Sequence, residues 1–410
     1  MHISSTSADV TILNGDKNDL AKLLLRRLNP DKWPLRIDQL PLGTALVGGA
    51  VRDGLLNRLQ EKPDLDLVVP NNAIKITQNF AKSLGSTSIV LDAERDMARL
   101  VFQGWTIDFA TQIGCSLEED LWRRDFRLNA IALLLGPNPK IVDPTGGMED
   151  LNKKKLVAVH EKNFIEDPLR CLRGLRFMAE LNFSLDPQTR TFINTYSNLL
   201  PNAAPERIQS ELKRIVYLKE ADDVIDLLNE IGLLKLWSNE KLSPPKILFT
   251  SKNQNVLNNK ELSLALPLIR LTHLLSDSGL ASLRFSKRQR NRCQLLRKWQ
   301  ERNDGFAFET LKEEDRFQLH KDLEEYLPAL ILQLSFKDQE VWINRWRDLK
   351  DPLFHPSPPV DGNTLQEILH LPQGPKLGSL IHHLSHERAF GRVCNLEEIL
   401  QEARHWWQHN

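Results

Sequence analysis

The sequence predicts an α+β fold, with a mixed-sheet head at the N-terminus followed by an all-α remainder. Strand-like apolar runs, rich in β-branched residues and punctuated by turn residues, are confined to the first third of the chain: TALVGGAV, DLDLVVP, SIVLD, ARLVFQGWTIDFAT and NAIALLL. Beyond about residue 150 the pattern changes to amphipathic helices, as in DPLRCLRGLRFMAELNF, ERIQSELKRIVYL and DDVIDLLNEIGLLKLW. Strands followed by helices, rather than alternating with them, are the mark of α+β architecture.

Composition bounds the remaining possibilities. The 410 residues are 41% hydrophobic and 26% charged, an ordinary globular balance able to bury a core. The 54 basic and 54 acidic residues cancel, so any nucleic-acid surface must arise from local clustering. Cys115, Cys171, Cys293 and Cys394 are far apart and lack zinc-ligand spacing, which fits a reducing compartment. The N-terminus has no signal-peptide pattern, and no run approaches the ~18 apolar residues of a membrane span, so a cytoplasmic protein with no membrane partner is expected.

In the head, Gly48 and Gly49 fall between the strand TALV and the helical VRDGLLNRLQ. Missing side chains at such a turn let phosphate oxygens approach backbone N–H groups, with Arg52 adding a fixed charge; alone, the pair reads first as a tight turn, and DLD as a solvated strand start. Asp64 and Asp66 stand two apart, which on a strand points both carboxylates to one face. Asp108, in TIDFAT, can join them from a neighbouring strand or serve as a salt-bridge residue. Paired carboxylates suit Mg²⁺, which retains waters and is completed by substrate phosphates. In the helix opened by Asp167 and Pro168, Asp167, Arg170 and Gly174 share one face while Leu169, Leu172, Leu175 and Ala179 can pack inward. A carboxylate and a guanidinium on one face offer acceptors and a donor fork to a base edge, and Glu166 is placed to brace Arg170 at i, i+4. The stretch 284–300, with seven basic residues and none acidic, is the best local footprint for RNA phosphates, carried by Arg288, Arg290 and Arg292. Asp143 and Gly147 read as a turn, and Glu206, Arg207 and Glu211 as helix stabilisers.

Five segments in order, GGAVRD…DLD, RRDFRLNAIAL, DPTGGMEDL, EDPLRCLRGLRF and ERIQSEL, resemble the signature motifs of bacterial-type (class II) tRNA nucleotidyltransferases and their poly(A) polymerase relatives, in the DNA polymerase β-like superfamily. A weaker echo, VDGNTLQEILHLPQGPKLGSLIHHL, resembles a helix hairpin of that family's last domain. The resemblance implies an N-terminal segment (1–29), a nucleotidyltransferase head (30–150), a nucleotide-selecting neck (151–215), a helical body (216–355) and a tRNA-binding tail (356–410). It implies attack of an RNA 3′ hydroxyl on the α-phosphate of a nucleoside triphosphate, with Mg²⁺ (Mn²⁺ as the alternative) held by Asp64 and Asp66, and Asp108 as third catalytic carboxylate. Gly48, Gly49 and Arg52 would hold the triphosphate. Arg123, Arg124, Asp125 and Asn129 would contact phosphates and ribose, and Glu166, Asp167, Arg170 and Arg173 would form the nucleotide-reading helix.

Two departures bear on the product. Family members that add all of CCA generally carry a flexible loop after the third-carboxylate strand, often opened by an arginine; here DFATQIGCSLEEDLWRRDF is short and has Gln112 at that place. The shortened loop resembles enzymes that add only the two cytidines, which implies tRNA 3′ ends and CTP as substrates and a separate A-adding enzyme as partner, with ATP used only if synthesis runs to CCA. A poly(A) polymerase, which shares the motifs, is the alternative. Asn57 also replaces a glycine common in the family.

Overall fold

The computed structural model describes residues 16–238, 256–302 and 311–410. The chain divides into two compact units between Ala204 and Pro205. Most of the polar stretch 243–260 lies outside the described residues, as does the start of the N-terminal segment.

The first unit opens with α1 (Lys17–Leu28), started by the Asp16 carboxylate accepting the Asn18 N–H at 2.9 Å and burying Leu20, Ala21, Leu24 and Leu28. β1 (Ala45–Val47), α2 (Gly49–Leu55), β2 (Leu65–Val69), α3 (Ala73–Ser83), β3 (Thr87–Asp92), β4 (Met97–Phe102) and β5 (Trp105–Thr111) follow. α1 packs on α2 where Gly54 admits it: a Cβ there would collide with Leu24 Cδ1. Asn57, just past α2, has φ +53°, the left-handed region that glycine prefers and asparagine tolerates, so the departure from the family's glycine is conformationally small. Gln103 and Gly104, both at positive φ, make the tight β4–β5 turn.

After α4 (Leu117–Trp122) come β6 (Ala132–Leu134) and β7 (Lys140–Val142). The sheet runs β3-β4-β5-β2-β1-β6-β7, antiparallel throughout except for the parallel pair β2–β5. It is the mixed sheet expected, with β7 added; KIV is too short a run to stand out in the sequence. Leu65, Leu67, Val69, Ile107 and Phe109 are buried on one face, where Phe80 of α3 stacks on Phe109 at 5.8 Å. Period-2 alternation therefore delivers Asp66 and Asp108 to the other face.

α5 (Gly147–Lys153) starts at a turn capped by Asp143, whose carboxylate accepts the N–H groups of Gly146, Gly147 and Met148 at 2.8–3.0 Å. Gly147 is required by close approach, since a Cβ would collide with the Arg127 carbonyl oxygen. Next come β8 (Lys155–Leu156), α6 (Lys162–Glu166), α7 (Leu169–Leu181), β9 (Ser184–Leu185) and α8 (Pro187–Tyr196). The sequence reading opened the helix at Asp167 and Pro168, with Glu166 one turn before Arg170; instead α6 ends at Glu166 and α7 begins at Leu169. Asp167 is extended (φ −140°, ψ 91°), as a residue before proline prefers.

The second unit is helical: α9 (Pro205–Tyr217), α10 (Asp222–Ile231), α11 (Asn259–Leu274), α12 (Asp277–Ser282), α13 (Lys287–Glu301), α14 (Glu313–Leu323), α15 (Leu327–Ile331), α16 (Phe336–Arg347), α17 (Gly362–Leu369), α18 (Pro375–Ala389) and α19 (Leu396–His409). α11 begins with a capping box between Asn258 and Glu261. Arg270, 1% exposed, reaches from α11 to the Val216 and Leu218 carbonyls at the end of α9 and to Asp222 of α10. Leu365, Leu380, Leu384, Ile399 and Ala403 close a C-terminal cluster of α17–α19. Among the described residues no helix is long and apolar enough to cross a membrane, and all four cysteines are free thiols.

Candidate functional site

The site is built on the face of β4, β5 and β2 that α3 leaves uncovered. Register sets Arg99, Asp108 and Asp66 side by side across those strands, with Asp64 two residues before Asp66. Burial pushes the Asp66 carboxyl up to about 6; neighbouring Asp108 and Asp64 add to the rise, while the Arg124 and Arg173 charges oppose it. Arg99 grips Asp108 with both ends of its guanidinium, at 2.7 and 2.8 Å, and Asp108 in turn raises the Arg99 pKa through those hydrogen bonds. The sequence reading missed Arg99, because a cross-strand arginine in MARLVF carries no motif of its own.

Gly48 covers this row. It has φ +73°, and a Cβ would lie 2.9 Å from Asp66 Oδ2 and 3.7 Å from Arg124 Nη1, so both conformation and space demand glycine. Gly49 begins α2 without either constraint. Arg52, placed on the triphosphate by the resemblance, is 4% exposed; it pairs with Asp53 at 2.9 Å on two nitrogens and donates to Asn129 Oδ1 at 2.9 Å. Asn129 donates to Asp125 at 3.2 Å, and Arg173 closes the chain on Asp125 at 2.6 and 2.8 Å. Burial would raise the Asp125 carboxyl, but the Arg173 charge and hydrogen bonds, with Asn129, outweigh it and hold it down to about 2. The RRDFRLN motif and α7 are thus one buried network.

Beyond the row opens a cavity of about 270 Å³, lined among others by Val68, Ala110, Ile113, Arg124, Asp167, Arg170 and Arg173. Arg170 Nη1 is buried there with no hydrogen-bond partner, and burial pulls its pKa down. Arg95, from the β3–β4 turn, and Arg123 also line it; Arg95 was not foreseen. Two expectations about α7 are corrected. Glu166 does not brace Arg170 within one helix, because the chain breaks at Asp167–Pro168; its carboxylate lies 3.7 Å from Arg123. Gly174 faces the core, where a Cβ would meet Phe126 Cζ at 2.8 Å.

Five residues, Gln112–Ser116, join β5 to α4. They are tied down locally: Gln112 N–H donates to the Val69 carbonyl at 2.8 Å, Cys115 N–H to Glu119 at 2.9 Å, and Ile113 N–H to Asp120 at 3.2 Å. In the second unit, most of the basic cluster on and beside α13 is compensated. Arg284 pairs with Glu206, Arg288 and Arg292 share Glu325, Lys298 pairs with Asp322, and Arg297 is buried on Asp277. Among the described residues, Arg290 and Lys287 form no such pair. The acids come from other elements, so the stretch alone overstated the free charge.

Paired aspartates on the same sheet face as a cavity lined by arginines, on a mixed sheet followed by helices, define the class as a nucleotidyltransferase head with a helical extension. The family model of the poly(A) polymerase head domain matches residues 44–157, and that of the probable RNA- and SrmB-binding site of polymerase A matches 182–237. A CC-adding tRNA nucleotidyltransferase of Synechocystis sp. is 31% identical over 399 residues, 90% of this chain and 95% of that protein. An A-adding tRNA nucleotidyltransferase of Deinococcus radiodurans is 39% identical over 201 residues, 48% of this chain and 45% of its own. The Thermotoga maritima CCA-adding enzyme complexed with tRNA shares the fold, with a TM-score of 0.73 at 20% identity over 94% of this chain and 98% of that one. The chain belongs to the tRNA nucleotidyltransferase and poly(A) polymerase family.

Proposed function

We propose that this protein adds cytidine nucleotides to the 3′ end of tRNA and stops after two. The observation that carries the reading is that Val68 and Ala110, each two residues beyond Asp66 and Asp108 on the same sheet face, line a cavity that also holds Asp167 and the partnerless Arg170 Nη1. The match to a CC-adding enzyme along nearly the whole chain, against half the chain for an A-adding one, supports the choice of product. So does the five-residue β5–α4 turn, which leaves no long loop to reshape the cavity for adenine.

The residues suit a hard divalent cation such as Mg²⁺. Among the described residues Asp66 and Asp64 form no ion pair, whereas Asp108 is occupied by Arg99, and no group of three ligands converges. Two carboxylates completed by substrate phosphates is the usual Mg²⁺ arrangement. When bound, the ion supplies charge neutralisation at the α-phosphate and activates the attacking hydroxyl. The protein does the rest by positioning. Gly48 keeps the wall over Asp66 free of side chain, Arg124 directs positive charge into the cleft, and Arg123 offers a half-exposed charge to phosphates. Arg52 acts through Asn129 and Asp125 to fix the RRD turn and Arg173. Asp167 and Arg170 present acceptors and donors to the base edge. The new O3′–Pα bond forms as the bond from Pα to the bridging oxygen breaks, releasing pyrophosphate.

The test is extension of tRNA ending at the discriminator base with Mg²⁺ and CTP, ATP or both, resolved to single nucleotides. Two cytidines and no adenosine is the expected result. Completed CCA would refute the stopping point alone, and long adenosine tails would assign the chain to poly(A) synthesis.

A further inference from the structure

Asp120 was not singled out by its sequence context, yet it lines the cavity and spends both carboxylate oxygens on protein donors. Oδ1 accepts the Ile113 N–H at 3.2 Å, and Oδ2 accepts Arg124 Nη2 at 3.1 Å; its side chain is 9% exposed. The two donors belong to different segments of the chain. Ile113 sits in the β5–α4 turn, and Arg124 lies over the aspartate row, its other terminal nitrogen 3.7 Å from where a Gly48 Cβ would be. Arg124 Nε is buried without a partner, so Asp120 is the carboxylate that orients this guanidinium, while Asn163 fixes the backbone below it through the Trp122 and Arg124 carbonyls at 3.1 and 2.7 Å. A buried carboxylate linking a backbone N–H to an arginine makes both groups move together or not at all.

We propose that Asp120 is a positioning residue that pins the β5–α4 turn to Arg124 and thereby fixes the width of the nucleotide cavity, so that preference for the smaller pyrimidine depends on it. This rests on the function proposed above. Ile113 lines the same cavity as Asp167 and Arg170, which read the base edge in that proposal; the space left between the turn and these residues is what a purine would have to enlarge. With Asp120 neutralised, the turn loses its N–H acceptor charge and Arg124 its orienter. Both losses favour a wider, less ordered cavity.

The experiment measures kcat and KM for CTP and for ATP, on tRNA lacking CCA and on tRNA ending in CC, for the wild type and Asp120→Asn, with melting temperatures. Asp120→Asn is expected to raise KM for CTP about 10- to 100-fold, the worth of one hydrogen bond to a charged group, and to lower the CTP-to-ATP ratio of kcat/KM by at least about tenfold. In a double-mutant cycle with Arg124→Lys, the losses should be clearly less than additive. Should Asp120→Asn fail to fold, Asp120→Glu keeps the charge but moves it outward by one methylene, and the same fall in discrimination is expected. An unchanged CTP-to-ATP ratio in a folded variant, or full additivity with Arg124→Lys, overturns the proposal. A wild type that does not use CTP overturns the functional reading beneath it, a result distinguishable because it precedes any variant.

Discussion

Asp66 concentrates the electrostatic cost of this site in one side chain. Its carboxyl sits at about 6 because burial and two neighbouring acids oppose its ionisation. The folded chain therefore holds this proton more tightly than the unfolded chain, so stability falls as pH rises from about 4 through about 6, and above that the full cost of the charge is present. Asp66→Asn is accordingly expected to raise the metal-free melting temperature at pH 8 by about 2–4 °C while abolishing nucleotide addition; an unchanged or lower melting temperature would contradict this account of Asp66. The same titration makes a proton compete with the cation. The Mg²⁺ concentration for half-maximal activity should climb as pH drops below about 6, and saturating Mg²⁺ should restore the rate, as an Mg²⁺ titration at several pH values will read. Gly48→Ala combines a disfavoured φ with a close approach to Asp66, and a fall of about 100-fold in kcat/KM is expected from displacement of the row.

At the scale of elements, the buried arginines are the joints. Arg270 joins α11 to the last carbonyls of α9 and to the half-exposed Asp222, so Arg270→Ala leaves the Val216 carbonyl buried without its donor and should cost about 1–3 kcal/mol by urea unfolding, whereas removal of a surface arginine such as Arg284 should cost less than about 1 kcal/mol. α7 shows how a helix can serve core and cavity together. Leu169, Leu172 and Leu175 are buried as its period requires, and Gly174 lets Phe126 approach, while Arg170 and Arg173 point to the cavity. The break before α7 was written in the sequence as Asp-Pro, which the sequence reading placed in the first turn of the helix rather than ahead of it. Glu166 was therefore assigned the wrong partner for a local reason: an i, i+4 pair needs an unbroken helix.

Across the whole molecule, charge cancels globally and, on α13, mostly locally as well. Binding of tRNA is expected to weaken with salt, and the slope of log affinity against log salt should fall by about one for each phosphate that a substitution leaves without its cation. Lys287→Ala and Arg290→Ala should lower that slope, and Arg288→Ala, whose partner Glu325 is already at hand, should change it less; equal effects at all three positions would show that the pairing with Glu325 does not matter. The strand-rich head, the helical remainder, the aspartates of DLD and the order of the motifs were legible in the chain, because periodicity, spacing and turn chemistry are local properties that neighbouring residues fix between themselves. Only the tertiary structure decided which charges meet. Strand register set Asp66 beside Asp108 and gave Asp108 to Arg99, and folding brought Asn129 to Arg52, 77 residues earlier, and Glu325 to Arg292. Such pairings depend on burial and distance between segments remote in sequence, and leave no repeating pattern along it.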